Sequence, residues 1–294
     1  MILWIWVYAY LGGGAKGAAH IGVLQALEEE NIKINYISGT SSGSIVASLY
    51  AMGYRPEEIY NLFKKYSKKI KYVDFKNILK FIYGIFVKRK IIINGLNSGN
   101  IIEDLINEEC MKKNIKNINE IKMPLIIPSV DLYSGNIYCF TSKTQNKRNT
   151  ITDKMIYIND ISVGKAVRAS CSYPVVFSPC KYKNIELVDG GIRENIPWRE
   201  TKSLGADKVI SVVFEKRIKE KNYNNVFSEN IVDVISNSIS ILNDELANYE
   251  MDGTDYLINI KTEKIGLLDM DKIDELCDLG YAETKKKLKK ININ

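Results

Sequence analysis

Twice within its first fifty-three residues the chain runs an apolar stretch into a glycine-rich turn and then into an amphipathic helix. Residues 1–11 (MILWIWVYAYL) are the first apolar stretch and 12–17 (GGGAKG) the first turn. Residues 18–30 then read as a helix with Ile21, Leu24 and Leu27 on one face. Residues 34–38 form a second strand, 39–43 (GTSSG) a tight turn, and 44–52 a helix stopped by Gly53. Strands that are each followed by a helix come to lie parallel, with the helices covering the sheet. The sequence therefore predicts an α/β fold with parallel strands.

The alternation continues downstream. Residues 56–93 are a basic, aromatic-rich insertion read as helical, and 101–109 form a further helix. Strands are expected at 125–130 and 136–141, separated by a turn at 132–135. A helix starting at Val163 must end by Pro174. Strands follow at 185–188, 209–214 and 255–260, with helices at 230–249 and 270–290. Residues 216–225 are a polar linker, the clearest break in composition.

With 294 residues, 46% apolar and 26% charged, the chain can bury a substantial core, and disorder is excluded over most of its length. No apolar run approaches the ~20 residues that span a bilayer. Residues 1–11 lack the charged leader and cleavage site of a signal peptide and read as a buried strand. Cys110, Cys139, Cys171, Cys180 and Cys277 are odd in number and contain no CxxC, which suits reduced thiols in a cytosol. His20 is the single histidine, so chemistry needing two or three imidazoles is excluded, the HExxH zinc hydrolases included. No metal and no cofactor is expected.

Gly12, Gly14 and Gly17 satisfy G-x-G-x-x-G, the dinucleotide fingerprint. Glycine backbone and free amides at a helix start hold negative charge, whether a pyrophosphate or a developing oxyanion. A dinucleotide site wants an acid at the end of the second strand. Here Ser38, Gly39, Thr40 and Ser41 occupy that place. A nucleotide-dependent oxidoreductase is thus the weaker reading, and nicotinamide or flavin fluorescence would favour it.

Gly39, Thr40, Ser41, Ser42 and Gly43 match G-x-S-x-G between a strand and a helix, the setting that a serine nucleophile elbow requires. The bland alternative is a helix cap by Ser41 or Ser42. As an elbow, the turn lifts the Ser41 hydroxyl to the carboxyl edge of the sheet. The Ser42 amide, with those of Gly13 and Gly14, could hold an oxyanion. A serine nucleophile needs a base, and His20 lies inside the first helix, so a carboxylate or lysine must serve. Asp189 is the leading candidate, at a strand end before Gly190 and Gly191. Asp131, ending residues 125–130, is the runner-up. Burial would raise such an acid towards neutrality.

These residues together resemble the patatin-like phospholipases, especially the bacterial ones. The resemblance rests on GGGAKG at 12–17, AAHIGVLQAL after it, GTSSG at 39–43 and DGG at 189–191. AVRASCSYP at 166–174 and Asn195-Ile196-Pro197 look like the family's later blocks. The resemblance implies a three-layer α/β/α fold around a mainly parallel sheet, with a Ser-Asp dyad. It makes Ser41 the nucleophile and Asp189 the base, with Gly12, Gly13, Gly14, Lys16, Gly17 and Ser42 at the oxyanion hole. It implies a catalytic domain over 5–203, carrying the insertion 56–93, with 204–294 completing the same fold. The expected activity is carboxylic ester hydrolysis of lipids, in lipid catabolism. A non-catalytic lipid-binding relative is the alternative.

The net charge is +6, yet Tyr60 to Ile93 alone holds ten Lys or Arg against Asp74. That stretch reads as a peripheral dock for anionic membranes, or as drift in a chain rich in Lys, Ile and Asn. A lipid ester substrate is expected, no nucleic acid partner, and a cytoplasmic location with peripheral membrane contact.

Overall fold

The structure, a computed structural model, describes residues 3–7, 13–69, 94–143, 155–215, 231–262, 265 and 269–290. Among the described residues nine strands form one sheet: β1 (Leu3–Val7), β2 (Ile34–Gly39), β3 (Leu125–Asp131), β4 (Ile137–Thr141), β5 (Met155–Ile158), β6 (Cys180–Tyr182), β7 (Ile185–Asp189), β8 (Lys208–Glu215) and β9 (Tyr256–Lys261). The main order is β5-β4-β3-β2-β1-β8-β9, with β7 on β3 and β6 on β7.

The sheet is mixed: parallel pairs predominate, as expected, and antiparallel pairs join them around β3. The β1–β2, β1–β8, β2–β3, β8–β9 and β4–β5 pairs are parallel. The β3–β4, β3–β7 and β6–β7 pairs are antiparallel. The turn after Asp131 is too short for a crossover, so it can join only antiparallel neighbours. β7 has a consequence for the site. β4 fills one edge of β3 from Ile126 to Val130. On the other edge, Ser38 of β2 pairs with Ile126, and Asp189 of β7 pairs with Ser129. β2 and β7 therefore share that edge from opposite directions, and their carboxyl ends meet.

The helices are α1 (Gly13–Glu29), α2 (Ser42–Ala51), α3 (Pro56–Ser67), α4 (Asn100–Lys112), α5 (Val163–Ser170), α6 (Trp198–Ser203), α7 (Ile231–Met251) and α8 (Ile273–Leu288). Along β8, Ile210, Val212 and Phe214 join the main core with residues of α1, α2, α5 and α8, whereas Val209 packs with Trp198 of α6. Likewise Leu125 and Ile127 of β3 join the main core, and Ile126 sits with Leu204 just after α6. Helices thus cover both faces. β8 and β9 extend the sheet beyond β1, and α8 packs along α1.

The glycine turn is corrected. Residues 13–17 are not a loop; α1 is helical from Gly13. Glycine costs about 1 kcal/mol per residue in a helix. Close packing offsets this here: Ala15, Ala18 and Ala19 are fully buried. A Cβ on Gly17 would lie 3.0 Å from both Ser42 and Phe63. Of the basic insertion, Pro56–Ser67 is helical with proline at its first turn, as proline's fixed φ favours; the expectation for 70–93 lies outside the described residues.

Candidate active site

Ser41 stands between β2 and α2 with φ 54° and ψ −130°. A non-glycine residue held there is strained by about 1–3 kcal/mol, and such strain collects at functional turns. The turn over-determines it. Ser41 donates its amide to Ser170 Oγ (3.0 Å), and its carbonyl accepts from the Ser44 amide (2.8 Å) and hydroxyl (2.6 Å). A Cβ at Gly39 would sit 2.4 Å from the Gly43 carbonyl oxygen, so only glycine fits. The Ser41 side chain does not cap α2. The cap reading accordingly fails for Ser41, whose hydroxyl is left for other partners.

Asp189 ends β7 and is almost wholly buried. Its amide donates to the Ser172 carbonyl (3.1 Å), and Oδ1 accepts from the Gly191 amide (2.8 Å). Burial pushes the carboxyl up to about 7, while hydrogen bonding from the Ser41 side chain and the Gly191 amide pulls it back. Ser41 is thus near enough to act on the carboxyl, yet Oδ2 has no closed hydrogen bond. A contact between nucleophile and base that tightens only when substrate binds is common in such sites. A buried acid with one uncommitted oxygen beside a serine, titrating near neutrality, can take that serine's proton.

One segment sets both groups. The end of α5 supplies Ser170 Oγ to Ser41 and the Ser172 carbonyl to Asp189. The buried Arg168 pins it, donating to Ser172 Oγ (2.6 Å) and to the Ser98 and Ser178 carbonyls. Gly190 lets the second turn approach: a Cβ there would be 2.3 Å from the Pro128 carbonyl oxygen and 3.1 Å from Thr40 Cγ2.

The remaining expected residues divide. Ser42 is the first residue of α2 and Gly13 the first of α1, so their amides, with that of Gly14, lie in first turns, where helical partners are lacking. In a helix from Gly13 the Gly17 amide already reaches back to the Gly13 carbonyl, so Gly17 serves the close approach of α1 to α2. Lys16 is buried in the first turn of α1. Gly12 lies outside the described residues. His20 is fully buried against the Phe214 ring (centroids 5.0 Å) on β8, two strands from β2. Asp131 is used elsewhere: its Oδ2 accepts from the Ser134 amide (3.2 Å) and hydroxyl.

Sequence reasoning did not single out Ser170. Its block was visible, but nothing in a run of small residues says which hydroxyl faces the elbow. Nor did it find Glu194, Glu200 and Glu250, three buried carboxyls behind the Asp189 turn. A groove of about 520 Å³ lined by Gln25, Glu28, Arg55, Tyr60 and Asp274 lies on the helical side, away from the strand ends. Among the described residues no helix is long and apolar enough to cross a membrane.

The fold is α/β, and Ser41 lies beside a buried acid where the ends of β2 and β7 meet. The family model for patatin-like phospholipase matches residues 11–202. A protein of Bacillus subtilis, the uncharacterized YqhO, is 30% identical over 230 residues, covering 74% of this chain and 75% of the relative. The chain therefore belongs to the patatin-like phospholipase family, a family of lipid hydrolases. The lysophospholipase NTE1 of Lodderomyces elongisporus is 27% identical over 202 residues, 68% of this chain but only 12% of that far longer protein. Among solved structures, the type III effector ExoU superposes with a TM-score of 0.50 at 17% identity, covering all of this chain and 54% of that one. That likeness bears on the fold.

Proposed function

We propose that the chain is a carboxylic ester hydrolase of lipids that works through an acyl-Ser41 intermediate, with residues 5–203 as its catalytic unit. Asp189 takes the Ser41 proton as Oγ bonds to the ester carbonyl carbon. The Ser42, Gly13 and Gly14 amides donate to the oxyanion, two helix starts adding their positive ends. The tetrahedral adduct collapses, the proton passes from Asp189 to the departing alcohol or lysolipid, and the acyl group stays on Ser41. Asp189 then deprotonates water, which attacks the acyl carbon; the second adduct collapses, the bond to Ser41 Oγ breaks as Oγ takes the proton back from Asp189, and the fatty acid leaves. The lysophospholipase named among the relatives supports a phospholipid-like substrate.

The observation that carries this reading is the buried Asp189 carboxyl, raised to about 7, beside a serine held at positive φ. A base titrating there is ionised in a substantial fraction of molecules at neutral pH and still holds a proton well enough to return it. Ser41→Ala and Asp189→Asn should each abolish p-nitrophenyl ester cleavage with the circular dichroism spectrum unchanged. Full activity in either variant rejects the dyad. A protein unlabelled by fluorophosphonate yet binding lipid would be a non-catalytic relative.

The basic stretch 60–93 is proposed as a peripheral membrane contact. Vesicle binding should then rise with anionic lipid and fall with salt. Equal binding to neutral vesicles removes the electrostatic part.

A further inference from the structure

We infer that Glu250, at the end of α7, is a positioning residue for the base: its carboxylate grips the chain at Asn195 and Ile196 and thereby fixes the turn that presents Asp189. The inference rests on the dyad reading and adds to it a helix that the family match, ending at residue 202, does not include.

The contacts form a continuous path. Glu250 Oε1 accepts the Asn195 amide (3.1 Å), and Oε2 accepts the Ile196 amide (2.9 Å). Two successive amides on two oxygens form a fork that only a carboxylate satisfies. The Trp198 indole donates to the Glu250 carbonyl (2.8 Å), and the Asn195 side-chain amide to the Asn243 carbonyl (3.5 Å). Gly253, just past α7, lets the Trp198 ring close in; a Cβ there would lie 1.7 Å from it. From Asn195 the path turns to the base. The Gly190 carbonyl accepts the Glu194 amide (2.8 Å), which closes the turn. A Cβ on Gly191 would be 2.9 Å from Asn195 Oδ1 and 3.2 Å from Asp189 Oδ1. A branch reaches the nucleophile as well, because Thr40 Oγ1 donates to the Glu194 carbonyl (3.1 Å).

A strut alone would not need a buried carboxyl, since an apolar side chain of similar size is often no less stable. Glu194 and Glu200 hydrogen-bond to each other; burial pushes Glu194 well above the usual carboxylate range and raises Glu200 as well, against the pull of the Glu194 bond. Burial pushes Glu250 up to about 8, while the Ile196 and Asn195 amides and Arg199 pull it back. Cys139 of β4 and Tyr157 of β5 face the Glu194–Glu200 pair and are themselves raised by it, beyond the effect of their own burial. Among the described residues no three acids are placed to hold a metal ion.

The test is the pH dependence of kcat on a soluble p-nitrophenyl ester for wild type, Glu250→Gln and Asp189→Asn, with thermal melting alongside. Glutamine keeps the shape but turns an N–H₂ against one backbone amide. We expect E250Q to fold and keep its KM, with kcat lowered about 10- to 100-fold, as small misplacements of catalytic groups do. Its rising limb should also move to lower pH, because a loosened turn admits water to Asp189. An unchanged limb and kcat, with only a lower melting temperature, would make Glu250 a strut and overturn the inference. Should E250Q not fold, Trp198→Phe loosens the same joint without touching a carboxyl; a limb identical to wild type there overturns it equally. An active D189N would instead reject the dyad, and so separates the two failures.

Discussion

Glycine lets backbone come abnormally close in two parts of this molecule, with opposite results. Where α1 crosses α8, a Cβ on Gly22 would lie 1.9 Å from the Cys277 carbonyl oxygen, and one on Gly280 1.9 Å from that of Ala19. Small and apolar side chains fill that crossing. Its rim is tied by Tyr281 to Glu29 (2.6 Å) and Lys285 to Glu29 (3.6 Å) and Glu30. Where the β2 and β7 ends meet, Gly39 and Gly190 allow an equally close approach. That second meeting holds a non-glycine residue at positive φ, a buried carboxyl far from its ordinary pKa, and an uncommitted Oδ2. The first approach serves stability alone. The second keeps strain and unsatisfied polarity that a purely structural turn would have no reason to keep.

That contrast is open to attack by substitution. The largest effect belongs to Ser41→Gly, which should lower ester hydrolysis by about four orders of magnitude or more. It should also raise stability by about 1 kcal/mol, because glycine relaxes the positive φ. Urea unfolding with an activity assay checks both; a stability loss would mean the turn is unstrained.

Asp189→Asn comes next, with activity down about a thousandfold or more. Its effect on stability depends on pH. Asp189 titrates near 7 in the folded chain against an ordinary 3.8. The folded state holds that proton more tightly, so the stabilising contribution is complete below about pH 4 and is lost as pH rises to about 7. Asparagine cannot ionise. The variant should match wild type below pH 4 and exceed it by about 2–4 kcal/mol above pH 7, read from urea midpoints across that range. Equal stability at all pH values would mean the carboxyl is not desolvated.

The crossing should behave in the reverse way. Gly280→Ala forces a methyl against the Ala19 carbonyl and should cost about 1–3 kcal/mol, while hydrolysis per folded molecule stays at the wild-type rate. A specific loss of rate would join the two regions that the comparison separates. The smallest effect is expected from Ser170→Ala, which removes the acceptor of the Ser41 amide. It should cost about 1 kcal/mol and roughly tenfold in kcat, measured by the same two assays.

Much of this was legible in one sequence. The strand at 34–38 is found as Ile34–Gly39 and that at 125–130 as Leu125–Asp131. The helix at 230–249 is found as Ile231–Met251. Their periodicity is strong, and their ends carry turn residues. Ser41 and Asp189 were visible because strand-end serines and acids flanked by glycine are uncommon without a reason. β6 and α6 were missed because three-residue and six-residue elements carry too little periodicity. The direction of β7 was hidden because pairing direction depends on contacts distant in sequence, not on local pattern. The helical start at Gly13 runs against glycine's propensity and follows from packing on α2 and α8. Glu250 looks like a surface residue of an amphipathic helix, and only its two backbone partners reveal otherwise.

The central claim is that Asp189, without an imidazole, deprotonates Ser41. It is met most directly by the rate of covalent fluorophosphonate capture across pH 5 to 9, with the modified residue located by mass spectrometry. The account predicts a single adduct at Ser41, formed at a rate that rises through about pH 7 in the wild type and is lost in D189N. An adduct at another residue, or undiminished capture in D189N, would contradict it.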